Sequence, residues 1–468
     1  MTARPSDRSD FSRGSMPRLI LRQAIPLTLA ELVHLLYNIV DRIYIGHLPS
    51  VGSMALTGLG VTFPITMLIT AFTRLFGAGG TPLFAIARGA GQEERARDLQ
   101  GCSLALLLAA SAAVFFVCYF FRRPILYFFG AGDNSFAFAD RYLRISLWGT
   151  VFTMIASGMN GFINAQGFPR MGMMTVLLGA GLNIALDPLF IFVLDMSVEG
   201  AALATVLSQA ISCLWVVRFI TGKKAIIPVR PAQVRIRLRM AGEIVRMGLA
   251  GFIMAATNTL TQVACNVTLR AFGGEIWVGV MAILHSVRDV LLLPVSGVTG
   301  AAQPVIGFNY GAKLYERVKK GIRFMAFGAT LYTLIAWLSV LLFSGFFAGI
   351  FTEDPQILSR APAAMRIYFF GFFFMAFQNS GQSTFTALGR ARKAIFFSLL
   401  RKAVIVTPLT FLLPYIVTPA VNGVFLAEPI SNAIGGCACM LTMLLTEYRK
   451  LGKDPVAVHS VSSSSMSK

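Results

Sequence analysis

The sequence predicts an all-α polytopic membrane protein with about twelve spanning helices. Three observations support this: the composition, the apolar runs and the placement of basic residues. Of the 468 residues, 56% are hydrophobic and only 13% are charged, and the mean hydropathy is +0.69. A soluble chain of this length needs more charge to cover its surface, so lipid is expected to cover it instead. The net charge of +20 does not indicate a nucleic-acid partner, because the Lys and Arg residues cluster in short loops between apolar runs.

The apolar runs that reach the length of a membrane span, roughly 20 residues, are the candidate transmembrane helices. They cover residues 23–46, 55–79, 99–121, 142–164, 171–194, 199–221, 244–272, 276–307, 322–347, 363–386, 394–417 and 420–446. Little polar sequence remains outside them, so no separate soluble domain is expected. The six cysteines fall inside these runs, where Cys usually behaves as a small hydrophobe and not as part of a disulfide framework.

Basic residues precede the first run and follow each even-numbered run, as Arg88, Arg170, Lys224, Lys313 and Arg390 illustrate. Loops rich in Lys and Arg stay in the cytoplasm, so both termini and the even-numbered loops are predicted to be cytoplasmic. The polar N-terminal residues contain no apolar core, so no cleavable signal peptide is expected.

The chain also repeats itself at a spacing of about 222 residues. Residues 82–90 align with 304–312, and residues 198–211 align with 421–434 with seven of fourteen positions identical. The unit is six spans that start on the same side of the membrane, which predicts two six-helix lobes related by a parallel repeat. Such lobes place a substrate cavity between them.

The predicted organisation follows from the runs and the repeat. It comprises an N-terminal cytoplasmic tail (1–18), an N-lobe (19–221), an inter-lobe cytoplasmic linker (222–243), a C-lobe (244–446) and a C-terminal cytoplasmic tail (447–468).

Ionisable side chains inside spans are costly, so each is a functional candidate. In the N-lobe, Asp41 and Thr205 lie six residues, roughly 9 Å, from the outer ends of their spans, and Asp187 lies eight residues, roughly 12 Å, from its own. Asn183 and Asp187 are four apart and share a helical face. Two carboxylates with amide and hydroxyl oxygens at similar depth form a site for protons or a desolvated Na+.

Each of these residues also has a purely structural alternative. Asp41 can pair with Arg42 near the interface, and Asp187 can satisfy backbone groups at the break that Pro188 makes in its helix. The two neutral side chains can simply bridge helices. We favour ion binding for the set.

Other polar side chains within the spans are candidates for the substrate cavity. Glu31 and His34 lie near the middle of the first span. Their side chains can either line a wet cavity or close a contact between helices, and the sequence does not favour one role over the other. Glu428, which the repeat places opposite Thr205, is a candidate contact for cationic substrates. The full set is Glu31, His34, Asn160, Gln262 and Glu428.

Motifs for catalysis are missing from the sequence. Gly77-Ala-Gly79-Gly80 has neither a preceding strand nor the Lys of a nucleotide-binding loop, so it indicates close packing or a hinge. We find no nucleophile–base–acid constellation and no His/Cys metal pattern. The protein is therefore not expected to be an enzyme.

Several motifs resemble those of the multidrug and toxic compound extrusion (MATE) family. They are Pro26 and Asp41 in the first span, the duplicated Gly-Ala … Glu-Arg loops, Asn160 with Ala165 and Gly167, the segment 183–188 and the segment 200–205. The resemblance covers roughly residues 17–449. Leu269 stands where the repeat would place a second-lobe acid, which resembles the DinF- and MepA-like bacterial branch.

The resemblance implies a secondary active antiporter in the bacterial plasma or inner membrane. It implies export of amphipathic, often cationic organic compounds in exchange for H+ or Na+, by alternating access and without a cofactor. The ion-coupling residues carried over are Asp41, Asn183, Asp187, Thr205, Tyr37 and Asn38, with kinks at Pro26 and Pro188. Apart from a possible Na+ at the first four, no metal is implied, and a monomer in the lipid bilayer is expected.

The alternative of a different class is a flippase for lipid-linked glycans, which shares this superfold. A flippase should have a strongly cationic cavity for pyrophosphate. The candidates for buried arginines are few, namely Arg74, Arg144, Arg288 and Arg401, and this disfavours the alternative.

Overall fold

The computed structural model describes residues 10–46 and 52–452, and these residues form helices without a β-strand. A helix satisfies its backbone hydrogen bonds internally, which is why an apolar chain adopts it in lipid. Ten helices in this part of the chain are long and apolar enough to cross a membrane. The other two predicted spans, the fourth and the tenth, are interrupted helices. The predicted all-α fold is confirmed.

The first six spans are built from nine helices. They are α1, Met16–Gly46; α2, Gly52–Thr73; α3, Gly79–Gly89; α4, Glu93–Phe120; α5, Arg122–Phe128; α6, Asp133–Ser146; α7, Thr150–Ala165; α8, Pro169–Pro188; and α9, Ser197–Thr221. A π-helical turn, Arg74–Ala78, joins α2 to α3, and a second one, Leu189–Val193, follows α8. Helix α1 continues through Pro26.

The last six spans repeat this plan. Their helices are α10, Leu238–Gly273; α11, Glu275–Gly311; α12, Tyr315–Leu342; α13, Ser344–Gly349; α14, Pro355–Tyr368; α15, Phe374–Ala387; α16, Ala391–Leu399; α17, Thr407–Leu412; and α18, Ala420–Thr446. A π-helical segment, Leu400–Val406, joins α16 to α17 within the eleventh span. Helix α10 begins inside the predicted linker 222–243.

The fourth and tenth spans are broken at corresponding points of the repeat. A short 3-10 turn, Leu147–Gly149, separates α6 from α7. Gly371, at a φ of +69°, lies in the turn that separates α14 from α15. Gly149 and Gly371 are 222 positions apart, which is the repeat spacing. The duplicated lobes therefore share an interruption as well as their continuous helices.

One face of the molecule, here called the terminal face, carries both ends of the described chain. Gly452 lies against the side chain of Tyr315, and Asn309 at the end of α11 donates to the carbonyl of Phe11 at 3.0 Å. The loop after the eighth span thus shares this face with both ends of the described chain, which agrees with the predicted arrangement. Whether this face is cytoplasmic stays a prediction.

The two lobes touch backbone to backbone near the terminal face. A Cβ on Gly89 of α3 would lie 1.9 Å from the carbonyl oxygen of Phe308, and one on Gly311 of α11 would lie 2.0 Å from that of Ile86. Real Cβ atoms do not approach so closely, so only glycine permits this crossing of α3 and α11.

Residues 10–15, here called the N-terminal clasp, reinforce the same junction. The Phe11 side chain is 2% exposed, and its ring meets that of Phe308 edge-on at 5.7 Å. The Arg88 guanidinium of α3 lies over both rings, at 5.3 and 5.0 Å. Arg317 of α12 donates to the carbonyls of Phe11 and Gly14 at 3.0 and 2.8 Å. The N-terminal clasp therefore ties α3 of the first lobe to α11 and α12 of the second.

Candidate functional site

The centre of the first-lobe site is a pair of side chains on α8. Asn183 and Asp187 are 2% and 0% exposed. One helical turn separates them, so the Asn183 amide Nδ2 reaches the Asp187 carboxylate Oδ1 at 3.3 Å. The helix then passes Pro188 into the π-helical turn Leu189–Val193. Such turns often mark functional sites in helices.

Thr205 of α9 joins the pair across the helix interface. The same Asn183 Nδ2 donates to Thr205 Oγ1 at 3.2 Å, and Tyr37 of α1 is hydrogen-bonded to Thr205. Helices α1, α8 and α9 therefore contribute to one polar cluster inside an apolar lobe.

Asp41 completes this cluster from α1. It is half-buried, and it lies close enough to Asp187 for the two charges to interact. Tyr37 is close enough to Asp41 and Asp187 to interact with the charge of each carboxylate. The structure thus brings together five of the six residues predicted for ion coupling. The side chain of the sixth, Asn38, lies outside the part of the structure that is described.

Tyr142 of α6 is a member of this cluster that sequence reasoning missed. Its hydroxyl is near Asp41, Tyr37 and Asp187. The residue is the first of the predicted fourth span, where a Tyr is usually an interfacial anchor. No spacing in the sequence connects α6 with α1 and α8, so only the packing of the lobe reveals it.

Two buried oxygens in the site accept no hydrogen bond from the described residues. They are Asp187 Oδ2 and Asn183 Oδ1. A buried oxygen without a donor is costly, and it gains most from a proton or a small cation. The donor set, carboxylate, amide and hydroxyl oxygen, is also the set that hard cations prefer. The site is therefore chemically suited to hold H+ or Na+.

The predicted cavity residues are more scattered. Glu31 and His34 are exposed on α1, and the His34 ring packs 5.7 Å from that of Tyr37. Asn160 of α7 donates to the carbonyl of Gly172 on α8 at 3.2 Å, so it bridges two helices. Gln262 Nε2 of α10 is hydrogen-bonded to His285 Nδ1 of α11 at 3.1 Å. Their roles in substrate binding stay predictions.

Glu428 of α18 is engaged in ion pairs inside the second lobe. Its Oε1 is 3.1 Å from Nη1 of Arg401 and 3.0 Å from Nζ of Lys402. These three side chains are 5%, 8% and 3% exposed. A cationic substrate would have to compete with two internal cations for this carboxylate. The role of Glu428 as a contact for cationic substrates stays a prediction. Lys402, which sequence reasoning did not single out, is the notable residue here.

The fold and the ionisable sites inside two matching lobes define a membrane transporter. The MatE family model matches residues 26–189 and 251–412, once in each lobe, and the chain belongs to this family. Family membership confirms the expected resemblance, the repeat of the lobes and the expectation of a transporter and not an enzyme.

Individual relatives cover nearly the whole chain. The multidrug export protein MepA of Staphylococcus aureus (strain MSSA476) is 22% identical over 439 residues, covering 94% of this chain and 96% of that protein. The MepA protein of Staphylococcus haemolyticus is 23% identical over 403 residues, covering 86% and 88%. A solved structure of a multidrug resistance MATE family transporter in an outward-facing conformation has a TM-score of 0.88 at 24% identity, covering 95% of this chain and 99% of that one.

Proposed function

We propose that this protein exports amphipathic, often cationic organic compounds across a bacterial cell membrane in exchange for H+ or Na+. The single observation that carries the proposal is the buried set of Asp187, Asn183 and Thr205, with Asp41 near it. An ionisable cluster inside a membrane lobe is costly to bury, so its presence favours a functional role. The curated relatives named above, which are multidrug export proteins, support the substrate class.

The geometry suggests how the site works. Two carboxylates that feel each other's charge are relieved by one shared proton or one Na+. Asn183 donates to both Asp187 and Thr205, which holds these oxygens in place while its own Oδ1 stays available to a cation. We propose that loading and release of the ion accompany the rocking of the two lobes that opens each face in turn.

An assay in proteoliposomes tests this function. With an imposed pH or Na+ gradient and no ATP, the protein should transport ethidium against its concentration gradient. With ATP and no ion gradient, it should not. ATP-driven accumulation of the dye, or no response to either gradient, would contradict the proposal. Liposomes without protein provide the background leak.

A further inference from the structure

The second lobe encloses a cluster of charges that the proposed coupling site does not use. Lys402 Nζ lies 3.0 and 3.1 Å from the two carboxylate oxygens of Glu428. Arg401 Nη1 donates to Glu428 at 3.1 Å and to Asn432 Oδ1 at 2.9 Å. All four side chains are less than one-tenth exposed. The two cations therefore share one carboxylate in the interior of the lobe.

The cluster holds one positive charge too many when all its groups are ionised. A buried charge without a partner is strongly unfavourable in a membrane protein. The other ionisable groups that face Lys402 from neighbouring helices are Arg288, His285 and Cys265. Among them, Arg288 is already paired with Asp289 at 3.0 Å. None of these groups brings a free carboxylate that would balance the excess.

Only one member of the cluster can release this excess charge. A guanidinium does not lose its proton in proteins, whereas a buried lysine readily does. When Lys402 loses a proton to water, Glu428 and Arg401 remain as a neutral hydrogen-bonded pair. The amine of Lys402 can stay hydrogen-bonded to the Glu428 carboxylate in both protonation states.

The position of the cluster in the repeat is also informative. Glu428 aligns with Thr205. In the first lobe a nitrogen of the fifth span donates to Thr205 at 3.2 Å, and in the second lobe a nitrogen of the eleventh span donates to Glu428. Both spans contain a π-helical segment: the one in the first lobe begins six residues after Asn183, and the one in the second lobe includes Lys402. The acceptors of the two polar clusters, Thr205 and Glu428, thus occupy corresponding places in the two lobes, whereas the donors do not.

We propose that Lys402 is a second proton-exchange site, located in the C-lobe, and that it releases its proton when a cationic substrate enters the cavity. An incoming cation and the Lys402 ammonium repel each other in the poorly screened interior, so substrate and proton compete. This inference rests on the proposed export of cations, but it concerns a different lobe and different residues from the first-lobe coupling site.

Proton release on binding of tetraphenylphosphonium to the purified full-length protein tests the inference. Calorimetric titration in buffers with different ionisation enthalpies gives the number of protons released per bound cation. Lys402→Arg, which keeps its charge, and Lys402→Met, which has none, should each release about one proton fewer than the wild type. In Asp187→Asn, the proton that Lys402 contributes should still be released when the cation binds.

The chain provides a matched control at the terminal face. Glu447 also pairs with an arginine and a lysine: Arg390 at 3.1 Å and Lys393 at 2.6 Å. There the cations are 48% and 36% exposed, so solvent compensates for the excess charge. Lys393→Met should therefore release as many protons as the wild type.

The outcomes separate this inference from the proposed function. If both Lys402 variants bind the probe and release as many protons as the wild type, Lys402 is not an exchange site, whatever the first lobe does. If the wild type transports no dye under any gradient, the proposed function fails. Thermal unfolding of each variant shows whether it is folded. If Lys402→Met does not fold, the proton release of Lys402→Arg alone decides whether Lys402 is an exchange site.

Discussion

Single residues determine what the first lobe can bind. The Asp187 carboxylate has one oxygen held by Asn183 and one without a donor among the described residues. Replacing this acid by its amide keeps the shape and removes both the charge and the proton acceptor. The site would then lack its central charged group.

Asp187→Asn should reduce gradient-driven ethidium transport in proteoliposomes by at least about tenfold, because the variant neither binds a proton nor balances Na+. Asp195→Asn is the matched control: Asp195 is exposed and has a φ of +52°, which Asn adopts readily. It should transport like the wild type. A fully active Asp187→Asn with unchanged pH and Na+ dependence would make the carboxylate a packing group.

The sequence predicts much of this site, because Asn183 and Asp187 are one helical turn apart and the periodicity of a helix makes them neighbours. It does not predict the ion pair between Lys402 and Glu428. This residue lies in an apolar run beside Arg401, where a pair of cations resembles the edge of a span. Its contact with Glu428 depends on how α18 packs against the π-helical segment, and the sequence spacing does not fix that register.

Among the elements, the crossing of α3 and α11 sets the distance between the lobes near the terminal face. Gly311→Ala should disfavour this closed crossing by about 1–3 kcal/mol, the usual cost of overpacking. Spin labels at Glu94 and Lys320 should then report a longer distance by pulsed electron paramagnetic resonance. Gly328→Ala, where a Cβ meets nothing within 4 Å, should leave the distance unchanged. Equal distances in the two variants would show that this crossing tolerates a side chain.

The N-terminal clasp depends on its one buried aromatic ring. Phe11→Ala should free the clasp, because burial of a Phe contributes about 3–5 kcal/mol. Hydrogen–deuterium exchange of residues 10–15 should become faster. Phe128→Ala, at a ring that is 84% exposed, should leave this exchange as it is. Unchanged exchange in Phe11→Ala would mean that the hydrogen bonds of Arg317 hold the clasp without the ring.

Hydropathy predicts the elements well where they are continuous and poorly where they break. It places the tenth span at 363–386, yet Gly371 interrupts the helix there. The residues around it are Phe-Phe-Gly-Phe-Phe, which are as apolar as any span. Hydropathy measures the transfer of side chains into lipid and contains no information on backbone hydrogen bonds. The break therefore becomes visible only through the glycine conformation.

For the whole molecule, the placement of basic loops predicts which face meets the cytoplasm. Cysteines introduced at Lys224 and Lys313 should react only with reagents that reach the cytoplasm. One at Glu353, which is exposed in the loop after α13, should react only from outside. Labelling of Lys224→Cys by an impermeant reagent in intact cells would show that the orientation is inverted.

The two lobes share a plan but differ in the charge of their interiors. Asp41 and Asp187 make the interior of the first lobe acidic, whereas Arg401 and Lys402 outnumber Glu428 in the second. Duplication therefore conserved helices and their interruptions while the polar clusters diverged.

The clasp also has a consequence for how the chain is made. Asn309, which holds the Phe11 carbonyl, follows Phe11 by 298 residues. At typical translation rates of about 5–20 residues per second, tens of seconds separate their synthesis. Throughout that interval the N-terminal clasp lacks its second-lobe partners Phe308, Asn309 and Arg317, and only Arg88 of the first lobe can contact the Phe11 ring. A chain terminated after the first lobe would never form the second-lobe contacts of the clasp and would keep only the contact between Phe11 and Arg88.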